Sequence, residues 1–240
     1  MTERISIETP DGAMPGQLWL PADGSGPGIV LVQEIFGVSS YIERRARDLA
    51  ELGYVVVAPE LFWRLGVAKV EEGPGAMEEG FGLLQRLDWA AAVADGVAAV
   101  SWLRGRAEVS GGLGIVGFCL GGGLGFNIAA QTSVDALVSY YGSALPGLLG
   151  LDPDSSGPTL SADSVTAPSL HHFGLKDSFI PREVVQQLRT TLSTQDTVTF
   201  ITHENGDHAF DNDDFHLYDE TSSREAWAQT VDWLGEHLPA

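Results

Sequence analysis

Runs of consecutive apolar residues are the most regular feature of this chain. Such runs are typical of strands that are buried on both faces of a sheet. Ahead of the first run, two shorter segments around the turn Pro10–Gly12 predict a pair of short strands. The predicted strands are Ile5–Glu8, Gln17–Leu20, Gly28–Val32, Tyr54–Val57, one ending at Gly114–Gly117, Ala136–Tyr140, Ser169–Phe173 and Val198–Ile201.

Segments with helical patterning separate these strands. Residues 60–79 predict irregular or partly helical backbone, and residues 143–166, rich in Gly, Pro, Ser and Asp, predict a rim or lid loop. The alternation indicates one α/β domain over residues 1–240, a mostly parallel central sheet of about eight strands with helices on both faces. Ligands in such folds bind at the carboxyl ends of the strands. The predicted helices are Ser40–Leu52, Gly80–Leu103, Leu120–Gln131, Pro181–Ser193 and Ser223–Leu238.

A large excess of acidic residues limits the expected partners. The formal net charge is −20, from 33 Asp and Glu against 13 Lys and Arg. Binding to nucleic acid requires clustered basic side chains, so we expect no nucleic-acid partner. There is no run of about 18 apolar residues and no signal-peptide pattern, so we expect no membrane partner and a cytoplasmic location. We expect a monomer or a small homo-oligomer.

The single cysteine lies in the stretch Gly117-Phe118-Cys119-Leu120-Gly121, between a predicted strand and a predicted helix. A lone cysteine excludes an intramolecular disulfide. The stretch fits a nucleophile elbow, where a sharp turn exposes the reactive side chain and directs the following N–H at a developing oxyanion. It also fits a small, inert cysteine buried in a glycine bend. These five residues alone leave both interpretations open and favour the inert cysteine.

Two later segments favour the nucleophile. Asp177 follows one predicted strand and a glycine turn, and His208 follows the next strand. Nucleophile, acid and histidine appear in this order in α/β-hydrolases. The imidazole of His208 would accept the thiol proton, and Asp177 would orient the imidazole. The competing residues are His203 as the base and Asp152 and Asp154 as the acid, whereas Asp207 predicts a capped or solvated loop.

The remaining histidines and acidic residues predict structural roles. His171 and His172 lie inside a predicted strand, where one of them is expected in the core, and His216 and His237 lie on predicted surface segments. The run Asp211–Asp214 resembles a calcium ligand cluster but lacks the glycine and the terminal glutamate of an EF-hand loop. We therefore expect a solvated loop and no metal site.

Six motifs are spread over nearly the whole chain: Gln33–Gly37, Ala58–Phe62, Gly117–Gly122, Tyr140–Gly142, Gly174–Asp177 and Asp207–Phe210. Together and in register, they resemble the dienelactone hydrolase family. The resemblance implies an α/β-hydrolase fold, a catalytic triad of Cys119, His208 and Asp177, and an oxyanion hole from the backbone N–H groups of Ile35 and Leu120. In this family the glutamate at the position of Glu34 approaches the cysteine and helps to generate its thiolate.

The chain departs from the family at two positions that bind substrate. Family members that cleave dienelactones hold the substrate carboxylate with arginines, and Asn212 and Met77 lie at or near those positions here. A bidentate arginine is hard to replace, so we expect a neutral ester or lactone as substrate. Candidates for lining an apolar pocket are Phe36, Trp63, Phe81 and Tyr141.

The expected function is hydrolysis of carboxylic esters or lactones through an acyl-cysteine intermediate, without a metal or an organic cofactor. A thioesterase or acyltransferase with the same triad is the enzymatic alternative. A non-catalytic α/β-hydrolase scaffold that binds a small molecule is the alternative from another class.

Overall fold

A computed structural model describes residues 2–71, 73–152, 154–155 and 159–240 of the chain. Strands β1 to β8 span Thr2–Thr9, Gly12–Trp19, Gly26–Val32, Val55–Pro59, Val109–Phe118, Ala136–Tyr140, Ser169–Gly174 and Val198–His203. Helices α1 to α7 span Ser40–Glu51, Ala76–Arg86, Trp89–Arg104, Leu120–Gln131, Leu145–Leu148, Arg182–Leu192 and Glu220–His237. Short 3₁₀ turns occupy Trp63–Leu65 and Ala162–Ser164.

The strands of the described chain form one sheet in the order β1-β2-β4-β3-β5-β6-β7-β8. The pairs β1–β2 and β2–β4 are antiparallel, and every other neighbouring pair is parallel. Strand β3 is buried along its whole length, because it pairs with β4 and β5 while α3 packs across it. The predicted sheet of about eight mostly parallel strands, with helices on both faces, is confirmed.

The predicted single helix over Gly80–Leu103 is wrong. Two helices, α2 and α3, occupy this region, and α2 already begins at Ala76. The break lies at Leu87, whose backbone is extended, and Asp88 caps α3 by accepting a hydrogen bond from the N–H of Ala91. An aspartate gains more from such a capping bond than from a position inside a helix.

The rim segment 143–166 carries short regular structure in its described part. Helix α5 and the 3₁₀ turn Ala162–Ser164 lie within it, and residues 153 and 156–158 of the predicted rim or lid fall outside the described residues. Among the described helices, none combines the length and the apolar content needed to cross a bilayer.

Candidate active site

Cys119 lies on the sharp turn between β5 and α4. Its backbone has a φ of 54°, in the left-handed region that side chains other than glycine rarely adopt. Within the turn, a Cβ on Gly117 would overlap the carbonyl of Gly121. A Cβ on Gly121 would overlap the carbonyl of Val32 at the end of the neighbouring strand β3. These two glycines therefore allow the turn to form, and the thiol of Cys119 faces a cavity above the sheet.

The structure brings Cys119, His208 and Asp177 into one hydrogen-bonded chain. His208 Nε2 lies 3.1 Å from Cys119 Sγ, and His208 Nδ1 lies 2.9 Å from Asp177 Oδ2. The other oxygen of Asp177 accepts hydrogen bonds from the N–H groups of Phe179 and Ile180, which fix the carboxylate. Burial by itself lowers the pKa of His208, but the charge interactions and hydrogen bonds with Cys119 and Asp177 outweigh it and raise that pKa to about 10. The arrangement therefore favours the imidazolium form of His208.

The competing side chains occupy other positions. His203 ends β8, and its Nε2 lies 3.1 Å from Nδ1 of His172 rather than near Cys119. His171 and His172 are both buried inside β7, and burial lowers the pKa of His171 to about 4. Asp207 accepts hydrogen bonds from the N–H groups of Ser178 and His208, so it caps the loop that carries His208.

Glu34 lies in the turn after β3 and is 1% exposed. Its Oε1 accepts hydrogen bonds from Ser39 Oγ and Asn212 Nδ2, each at 3.2 Å. Burial raises the pKa of Glu34 to about 7, and these two neutral donors only partly oppose the effect. Asn212, at the position where the family resemblance places an arginine, is thus a partner of Glu34.

The acidic run Asp211–Asp214 is only partly solvated, so that prediction is wrong for its first two members. Asp211 and Asn212 are buried, while Asp213 and Asp214 are exposed. Asp211 Oδ1 and Oδ2 accept a bidentate pair of hydrogen bonds from Arg45 at 2.7 and 2.8 Å. The sequence contains no local signal for this burial, because Arg45 lies on a distant helix.

Two residues near the site were not among the candidates from the sequence. The thiol of Cys119 contacts Ser143 Oγ at 3.8 Å, and the ring of Phe179 lies with its centroid 4.9 Å from that of His208. For Phe179, the one indication in the sequence is that it lies two positions after Asp177, in the same segment after β7. The predicted backbone donors lie close by: Leu120 begins α4, where N–H groups lack partners within the helix, and Ile35 borders the same cavity.

The cavity over Cys119 has a volume of about 100 Å³ and is mainly apolar. Of the four predicted pocket residues, Phe36 and Phe81 line it. Trp63 does not, because its Nε1 donates to buried Asp95 on α3. Tyr141 is fully buried beneath the site, where its hydroxyl lies 3.3 Å from that of Tyr41. The lining residues are Glu34, Ile35, Phe36, Met77, Phe81, Leu84, Cys119, Ser143, Phe179, His208, Ala209 and Phe215.

A second cavity of about 370 Å³ adjoins the first. We call it the Glu34 cavity and define it by Glu34, Phe36, Tyr41, Met77, Asn212 and Phe215. Four of these residues, Glu34, Phe36, Met77 and Phe215, also line the cavity over Cys119. The two cavities are therefore neighbours, and Glu34 is one of the residues that border both.

A mostly parallel sheet of this order, with a cysteine on the turn after β5, is the architecture of α/β-hydrolases. The sequence model of the dienelactone hydrolase family matches residues 14–238. A carboxymethylenebutenolidase of Pseudomonas putida is 34% identical over 213 residues, covering 88% of this chain and 86% of the relative. The chain belongs to the dienelactone hydrolase family and is a hydrolase of lactones or carboxylic esters.

Solved structures agree with this assignment. A Klebsiella pneumoniae protein described as a dienelactone hydrolase superposes with a TM-score of 0.83 at 31% identity, covering 98% of each chain. A dienelactone hydrolase-like promiscuous phosphotriesterase from metagenomic libraries has a TM-score of 0.76 at 22% identity, covering 99% of this chain and 98% of its own. The second likeness concerns the fold alone.

Proposed function

We propose that the chain hydrolyses esters or lactones that carry no carboxylate, with Cys119 as nucleophile, His208 as acid and base, and Asp177 as the group that orients His208. The observation that carries the proposal is the hydrogen-bonded chain from Sγ through both imidazole nitrogens to the carboxylate. Cys119 and His208 of this hydrogen-bonded chain line an apolar cavity, as is usual for ligand-binding sites.

The reaction would proceed in two halves. The Cys119 thiolate attacks the carbonyl carbon, and the tetrahedral intermediate collapses as His208 donates its proton to the leaving alkoxide. Water then gives a proton to neutral His208 and attacks the thioester, releasing the acid and restoring the thiolate and imidazolium. The N–H groups of Ile35 and Leu120 are proposed to stabilise the oxyanion in both halves.

Glu34 is proposed as an auxiliary base. A carboxyl with a pKa of about 7 is half ionised at neutral pH, so it can exchange a proton with a thiol that borders the same cavity. Its buried position and its neutral hydrogen-bond partners support this role.

The charge of the cavity argues against anionic substrates. Neither of the two adjoining cavities has a lysine or an arginine among its described lining residues. Burying the carboxylate of a substrate without a cationic partner costs free energy, and the negative charge of Glu34 would repel that carboxylate. These properties support a substrate without a carboxylate.

The nucleophile is tested by following 4-nitrophenyl acetate hydrolysis and weighing the intact protein during turnover. We expect one acetyl adduct. Cleavage of this adduct by hydroxylamine would indicate a thioester, and a thioester can form only on the single cysteine of the sequence. Cys119→Ala should remove the adduct and lower kcat by about 10⁴-fold or more. Turnover at the wild-type rate by Cys119→Ala would overturn the assignment.

The base is tested with a matched pair of histidine variants. His208→Gln should lower kcat by about 10²- to 10⁴-fold, because acid and base are both lost. His203→Gln keeps a hydrogen-bonding side chain beside His172 and should retain nearly the wild-type kcat. If His203→Gln inactivates the folded enzyme while His208→Gln does not, the roles are reversed.

A further inference from the structure

The Glu34 cavity contains a carboxylate that forms no ion pair with any described residue, although the charge of His208 acts on it at longer range. Among the described side chains, those that donate hydrogen bonds to buried Glu34 are the neutral groups of Ser39 and Asn212. Asp214 also lines this cavity, but its carboxylate is paired with Arg44 at 2.7 Å. Because a carboxylate offers about four acceptor positions, Glu34 can accept a further hydrogen bond from a ligand.

Aromatic rings form the walls around this carboxylate. Phe36 and Phe215 lie with centroids 5.9 Å apart and tilted by 51°, and Tyr41 adds a third ring to the lining. Faces of aromatic rings attract cations, and desolvated contacts of this kind are the strongest. Aromatic rings next to a carboxylate therefore form an environment that suits an organic ammonium group.

The volume and position of the cavity suit one part of a substrate. At about 370 Å³ it lies in the usual range for small-molecule sites, and it shares four lining residues with the cavity over Cys119. A cation placed there would offset the burial of Glu34, whereas an anion would increase its cost.

We propose that the Glu34 cavity binds an organic ammonium group carried by the ester substrate whose carbonyl is attacked by Cys119. The inference rests on the proposed function. It narrows the expected substrates from esters that lack a carboxylate to esters that carry a positive charge. Glu34 supplies the countercharge, and Phe36 and Phe215 supply the aromatic rings.

Pairs of substrates that differ only in charge test the proposal. On the alcohol side, butyrylcholine is compared with 3,3-dimethylbutyl butyrate, its uncharged isostere. On the acyl side, the 4-nitrophenyl ester of 4-trimethylammoniobutyrate is compared with that of 5,5-dimethylhexanoate. In at least one pair, kcat/KM for the cation should be about tenfold higher than for its isostere.

The long-range field of an acidic protein would also favour cations, so the assays are run in about 1 M salt, where the Debye length is about 3 Å. Asn212→Arg places a cation beside Glu34 and should abolish the preference, while raising kcat/KM for a succinate half-ester. Asn212→Gln keeps a neutral donor and should leave the preference unchanged. Phe215→Leu removes an aromatic ring from the Glu34 cavity and should reduce the preference for the cation over its isostere.

The outcomes separate the two proposals. If Cys119→Ala still hydrolyses the uncharged esters at the wild-type rate, the proposed function fails. If those esters are hydrolysed through Cys119 but neither cation is preferred at high salt, the ammonium site is overturned and the proposed function stands. A preference that persists in folded Asn212→Arg also overturns the ammonium site.

Discussion

At the scale of single residues, backbone strain is concentrated around Cys119. The described residues other than glycine with a left-handed φ are Cys119, Tyr141 and Ala209, at 54°, 38° and 56°. Such conformations cost roughly 1–3 kcal/mol each and persist only where surrounding packing determines them. Cys119 presents the thiol, Tyr141 places its ring 5.3 Å from the His208 imidazole, and Ala209 directly follows His208. The buried core below holds the site in this geometry.

The buried carboxyl of Glu34 should make the folded state pH-dependent. Its pKa rises from 4.5 to about 7 on folding, so ionisation costs about 3 kcal/mol that the unfolded chain does not incur. The penalty is absent below about pH 4.5, grows as pH rises and is complete above about pH 7. Glu34→Gln should therefore equal the wild type at low pH and exceed its unfolding free energy by up to about 3 kcal/mol at pH 8.

Urea unfolding of both proteins across this pH range checks the expectation. The exposed Glu51 at the end of α1 provides the control, since Glu51→Gln should show no such growing difference. A constant difference between Glu34→Gln and the wild type at all pH values would contradict a titrating Glu34.

At the scale of elements, Asp211 joins the loop after β8 to α1 and α7. It accepts hydrogen bonds from Arg45, from Tyr41 at 2.6 Å and from Ser223 at 2.8 Å. Arg45 also lies over the ring of Trp227, with its guanidinium carbon 4.3 Å from the ring centroid. Since Asp211 is three residues from His208, this buried junction fixes the loop that presents the imidazole.

Replacing Asp211 should therefore affect both stability and catalysis. Asp211→Asn leaves Arg45 without its buried countercharge, and we expect a loss of about 3 kcal/mol in unfolding free energy. The kcat for 4-nitrophenyl acetate should also fall at temperatures where the variant is folded, because His208 is less well positioned.

Asp213→Asn is the matched control for this change. Asp213 lies two residues away and pairs with Arg44 at the surface, so its loss should cost less than about 1 kcal/mol and leave kcat unchanged. Equal effects of the two variants would show that the burial of the Asp211 pair has no special importance.

At the scale of the whole molecule, the net charge of −20 opposes the compact state. The 33 acidic residues outnumber the 13 basic ones, so repulsion exceeds the attraction of the surface ion pairs. Salt screens both the repulsion and the attraction within ion pairs. Because the repulsion is larger, the net effect of salt is to stabilise the folded state.

Unfolding free energy should accordingly rise between about 0.1 M and about 1 M salt, over which the Debye length falls from about 10 to about 3 Å. Urea titrations in sodium chloride and in potassium chloride measure it, and agreement between them excludes binding of a specific cation. A fall in unfolding free energy would mean that surface ion pairs outweigh the repulsion.

The sequence by itself determined the fold and the order of the main site residues. Apolar runs mark strands such as Gly28–Val32 because a strand covered on both faces has no polar position. The glycines around Cys119 predict the sharp turn, because only they tolerate its close contacts. The later Asp177 and His208 follow strands that end at the same sheet edge, so their approach to Cys119 follows from the topology.

The tertiary structure alone decided what surrounds these residues. The burial of Asp211 depends on Arg45, and the setting of Glu34 depends on Asn212, which is 178 residues away in the chain. The exclusion of Trp63 and Tyr141 from the cavity depends on their partners Asp95 and Tyr41. Local patterns report whether a side chain is suited to burial, but the charge and shape of a cavity arise from distant segments that meet only after folding.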